Sequence, residues 1–125
     1  MSFRRATVAS LVCVVICGCQ EVDVRPVAIA GADAGRGRGV IERVGCGACH
    51  VIPGVPGPQG RVGPALAGFA RQALIAGQFP NEPEALATWV RDAPSLIAQT
   101  GMPAMPLTEP EARDVAAYLY TLDAR

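Results

Sequence analysis

The chain has 125 residues, which is room for one small domain and not for two. Half of the residues are hydrophobic but only 5% are aromatic, and 14 Gly with 11 Pro exclude a coiled coil, a collagen-like repeat and a multi-domain enzyme. Every basic residue is Arg, and 11 of them balance 11 acids, so no basic surplus is left to hold nucleic acid.

The first segment reads as an export leader. Arg4 and Arg5 precede a short apolar stretch over residues 6–16, followed by small residues. That stretch falls short of a ~30 Å hydrocarbon core. Ile16-Cys17-Gly18-Cys19 resembles a bacterial lipobox, with cleavage before Cys19 and lipidation of that cysteine. The rival readings are ordinary secretion and a retained anchor. On this basis residues 1–18 are a signal peptide, 19–33 the lipidated cysteine and a flexible tether, and 34–125 the folded domain. Cleavage removes Cys13 and Cys17, and Cys19 carries lipid, so Cys46 and Cys49 are left for the domain. An exported domain this small needs a disulfide, a metal or a cofactor to hold it together.

A first helix is expected over 34–45, with Val40, Ile41 and Val44 on one face. Gly35, Gly37 and Gly39 each cost up to about 1 kcal/mol against Ala. They make sense where another helix approaches closely; otherwise the helix begins at Gly39. Residues 51–64 hold four Gly and four Pro, which leaves a long ordered loop of the kind that tends to carry function. Asn81-Glu82-Pro83-Glu84 reads as an N-cap and an acidic first turn, ahead of a helix with Leu86, Trp89 and Val90 on one face and Pro94 at its end. Thr108-Glu109-Pro110-Glu111 has capping-box spacing, and Val115, Tyr118, Leu119 and Leu122 follow with helical period. No strand-like alternation of useful length occurs. The expected fold class is all-α.

Cys46-Gly47-Ala48-Cys49-His50 is C-x-x-C-H, the attachment pattern for haem c. Two thiols at this spacing on a helical turn can add across the two vinyl groups of haem, and the next residue, His50, then lies under the iron. A zinc site lacks a fourth ligand in the domain. A thioredoxin-like pair lacks its βαβ setting, and a plain disulfide has no need of the adjacent His. His50 is the only His in the chain, so the second axial position falls to Met, an unusual group, water or nothing. Past the leader the methionines are Met102 and Met105, in a Met-Pro loop ahead of the last helix. Pro103 restrains the residue before it and aims its side chain.

From about residue 39 to 122 these features resemble the class I mono-haem cytochromes c. They comprise the first helix, C-x-x-C-H, Gly63-Pro64-x-Leu66-x-Gly68, the Met-Pro loop and a terminal Tyr-Leu helix. The stretch Phe79-Pro80-Asn81-Glu82-Pro83-Glu84 is most similar to the cytochrome c domain fused to subunit II of bacterial haem-copper oxidases, here free-standing. The resemblance implies several short helices and long loops around one covalent haem. It implies Met102 as the second axial ligand, five residues before Leu107, with Met105 in a packing position. It also implies that the Pro64 carbonyl accepts the Nδ1–H of His50, orienting the ring, and that Arg71 reaches a haem propionate, although by itself Arg71 reads equally as a solvated side chain. Trp89 is expected near the Met side of the haem, Leu66 against the haem as core, and Phe69 and Tyr118 as core.

The expected function is therefore one-electron transfer and not enzymatic catalysis. The chain is expected to be a monomer on the periplasmic side of a bacterial membrane, held by lipid at Cys19. A quinol-oxidising complex upstream and a terminal oxidase or dehydrogenase are its expected partners. The alternatives are a fixed mono-haem subunit of a membrane complex and a haem-based gas-ligand sensor. Near-neutral charge predicts shallow salt dependence of partner binding.

Overall fold

The structure, a computed structural model, describes residues 27–123. The leader, Cys19 and the start of the expected tether lie outside the described residues. Three helices make the frame: α1 over Ala34–Val44, α2 over Pro83–Leu96 and α3 over Glu109–Leu119.

Helix α1 begins where the Asp33 side chain accepts the Arg36 N–H and ends at Gly45, whose φ of 79° only a residue without Cβ adopts freely. It packs its Gly37–Val40–Ile41 face on α3. A Cβ at Gly37 would stand 1.9 Å from the Asp114 carbonyl oxygen and 2.9 Å from the Val115 nitrogen, so the two backbones touch there. Gly39 has nothing within 4 Å, which makes Gly37 the glycine that the crossing requires. The helix runs from residue 34, not from Gly39.

The crossing is also tied electrostatically. Asp114, 6% exposed, accepts the Asp33 N–H at 2.7 Å and two bonds from the Arg36 guanidinium, at 2.8 and 2.9 Å. The Arg36 bonds hold its carboxyl below the usual range. Residues 29–33, expected as the end of a free tether, belong to this joint instead. Ile29 is buried in the core, and Arg113 and Arg36 donate to the carbonyls of Ala30 and Gly31.

Helix α3 opens with the expected capping box, Thr108 and Glu111 each bonding the other's backbone N–H. Val115, Leu119 and Leu122 are buried as the period demands. Tyr118 is half-buried, its hydroxyl donating to the Pro53 carbonyl at 2.7 Å, and the deeper phenol is Tyr120. Burial pushes the Tyr120 hydroxyl up to about 12.

Helix α2 departs from expectation at both ends. Its N-cap is Glu82, and Asn81 bonds elsewhere. Asn81 donates to the Phe69 and Gln72 carbonyls and accepts the Tyr120 hydroxyl, joining three segments. At the other end Pro94 does not stop the helix. The break falls at Asp92, with φ −149° and ψ 69°, and one more turn follows to Leu96. Proline has no N–H for the carbonyl four residues back and crowds it, yet suits the first turn of the resumed segment.

The fold is helical with one small addition. Leu74–Ile75 (β1) and Phe79–Pro80 (β2) form an antiparallel hairpin in register Leu74 with Pro80 and Ile75 with Phe79. Its tip, Ala76-Gly77, has φ of 51° and 70°, the pair of positive values that a tight hairpin turn needs.

Replacing Gly37 by Ala forces backbone apart and is expected to cost about 3 kcal/mol, read as a shift in the denaturation midpoint of the holoprotein. The carboxyl of Asp114 is depressed in the folded state, so its contribution is complete above its ordinary value of 3.8 and disappears as pH falls through its lower native value. Stability should therefore fall on acidification below about pH 4, and Asp114→Asn should flatten that limb in acid-denaturation curves.

Candidate haem site

A predominantly apolar cavity of about 720 Å³ lies between α1, the hairpin, α2 and the Met loop, within the range of cofactor-sized sites. Cys46, Cys49, His50, Pro64, Leu66, Trp89 and Met102 all line it. The structure thus brings together all but one of the expected cofactor residues among the described positions. The exception is Arg71, which is not among the lining residues; its Nε pairs with Asp123 at 3.0 Å.

After α1 the left-handed Gly45 begins a single 3-10 turn, Cys46–Ala48, which opens on one cysteine and is capped by the other, Cys49. The two are not joined to each other, and burial pushes the Cys46 thiol up. The Gly/Pro-rich loop then folds back over this turn by main-chain bonds. Gly60 N–H donates to the Gly47 carbonyl at 2.8 Å, Gly63 N–H to Cys49 at 2.8 Å, and Leu66 N–H to Val51 at 2.9 Å. A Cβ at Gly63 would stand 2.3 Å from the His50 ring, so the loop lies directly on the imidazole.

His50 Nδ1 lies 2.7 Å from the Pro64 carbonyl oxygen. A carbonyl can only accept, so Nδ1 carries a proton, which in the neutral ring places the lone pair on Nε2. Two thiols, an imidazole with an available nitrogen and a thioether around one apolar cavity are the donor set that haem c takes, and the site fits it.

On the far wall, Trp89 is half-buried and tilts against Phe79, with centroids 6.1 Å apart. Phe69 is buried against Tyr120 and also lines the cavity. Met105 lines it as well, so both methionines reach the same space. Sequence reasoning missed the wall made by Ile75, Ala76 and Gly77. Asn-Gly or Gly-Gly at the tip would have signalled a hairpin; Ala76-Gly77 carries only half of that signal.

The cytochrome c family model matches residues 34–123. Cytochrome c oxidase subunit 2 from Alkalihalophilus pseudofirmus is 37% identical over 90 residues, which are 71% of this chain and 25% of that protein. The chain therefore spans about a quarter of the length of this curated relative. The solved structure of cytochrome c2 from Rhodobacter sphaeroides is similar in fold, with a TM-score of 0.54 at 19% identity over 75% of this chain and 98% of that one.

Gly63→Ala should displace the His50 ring from the Pro64 carbonyl. The expected result is at least tenfold faster exchange of the Nδ1 proton in the NMR spectrum of the ferrous holoprotein, with the helices retained.

Proposed function

This chain belongs to the cytochrome c family, whose class I members are electron-transfer proteins with covalent haem c, and on that premise we propose a membrane-tethered one-electron carrier of an exported respiratory chain, delivering electrons to a terminal oxidase. The observation that carries the reading is the set of two thiols, one imidazole and a methionine thioether on a single apolar cavity.

When bound, haem c supplies a one-electron iron couple. Cys46 and Cys49 would hold the group by thioether bonds, and His50 and Met102 would ligate its iron in both oxidation states. Bound by both, the iron would be left to exchange electrons and not to take a substrate. The work of the chain is then to keep geometry constant and to exclude water. Thioether ligation favours the reduced state and raises the potential. The Pro64 carbonyl, by accepting from Nδ1, makes His50 a stronger ligand. Met102 is preferred to Met105 because its place before Leu107 matches the family pattern.

Attachment rests on the lipobox-like Cys19, with residues 20–28 as the tether. A lipoprotein anchor carries several acyl chains, enough for stable attachment. The similarity to an oxidase subunit supports a terminal oxidase as electron acceptor, with a quinol-oxidising complex as donor. The same similarity favours a second reading, a fixed subunit of such a complex, since the matching region is part of a longer chain there. Co-purification in mild detergent separates the two.

The oxidised holoprotein should show the weak far-red iron–sulfur charge-transfer band. Met102→Ala should abolish the band and lower the reduction potential, whereas Met105→Ala should keep both; a band lost only with Met105 reverses the assignment. Cys19→Ser should move the protein from the membrane to the soluble fraction.

A further inference from the structure

Helix α2 and the Met loop are joined at the point where the helix breaks. In an unbroken helix the Arg91 carbonyl would accept the N–H of Ser95. Here it accepts the Met105 N–H at 2.8 Å, while Asp92, out of helical conformation, pairs antiparallel with Ala104. The kink is itself supported: the Ser95 hydroxyl donates to the Asp92 carbonyl at 2.7 Å, and the Ile97 N–H to Ala93 at 2.9 Å.

We infer that Pro94 is a positioning residue for Met102: by breaking α2 it releases the Arg91 carbonyl, which holds the Met105 N–H and, with Asp92 paired beside Ala104, straps the loop to the cavity wall. The inference rests on the reading of Met102 as iron ligand. Between the strap and Met102 lies only Pro103, whose fixed φ carries the anchor across without slack. On its other side Met102 has a weaker hold, its N–H donating to the Thr100 hydroxyl at 3.2 Å. Trp89, two residues before Arg91, lines the same cavity, so the ligand loop is set in register with that wall. A straight helix would satisfy its own carbonyls and offer the loop no partner.

The test compares holoproteins of the wild type, Pro94→Ala, Ala104→Gly and Met102→Ala. Pro94→Ala should keep its helix content by circular dichroism and lose at least half of the far-red band. Its ferrous form should bind carbon monoxide at least tenfold more tightly, and its Met105 amide should exchange at least tenfold faster. Ala104→Gly loosens only the loop side of the strap and should move all three readouts in the same direction by less. If Met102→Ala loses the band but Pro94→Ala changes none of the three, the strap has no positioning role and Met102 remains the ligand. A band that survives Met102→Ala overturns the ligand reading and the proposal with it. If Pro94→Ala does not fold, Ala104→Gly decides, and unchanged readouts there overturn the inference.

Discussion

The backbone contact between α1 and α3 at Gly37 is the constraint from which the site follows. With no side chain between them, the Gly37 turn sits on the carbonyl of Asp114. This fixes the direction in which α1 ends, and so the direction in which Gly45 delivers the two cysteines and His50. From the other partner, Leu119 enters the cavity wall, Tyr118 holds the loop at Pro53, and Tyr120 holds Asn81. One close approach therefore sets the attachment turn, the loop over it and the hairpin opposite.

Around that frame, much of the positioning is done by main-chain groups and little by ion pairs. The loop over 51–64 contains no helix or strand, yet its N–H groups find carbonyls at Gly47 and Cys49, as buried or crowded backbone must. The Met loop takes its partners from a helix that gave up its own. The pairs Arg38–Glu42, Arg71–Asp123 and Arg113–Glu84 are largely exposed and add little. Asp114 is different because it is buried and satisfied three times over.

The parts legible in the sequence are those in which one residue type has one use. C-x-x-C-H, the capping box at Thr108 and the dense Gly/Pro loop each admit a single economical reading, and each is found in place. Asn81 misleads because an amide before Glu-Pro serves equally as a cap or as a bridge, and only the arrival of Tyr120 decides. Pro94 misleads in the same way: a proline marks a break, but where the break falls depends on which groups wait nearby for the freed carbonyls. Residues 29–33 look like tether because what holds them lies far along the chain: Arg113 bonds the Ala30 carbonyl, and Asp114 takes the Asp33 N–H from 81 positions away. The hairpin tip is hidden by an Ala in a conformation that glycine or asparagine would have announced.

The Arg36–Asp114 bond closes a loop of 78 positions, and the Gly37 contact beside it is nearly as long. Such distant partners meet only against an entropic cost of closure, a cost that the turns of a local helix do not carry. A chain made from its N-terminus cannot make this joint until α3 has been added. Until then the turn that carries Cys46, Cys49 and His50 has no fixed direction, because the crossing that sets it is still open.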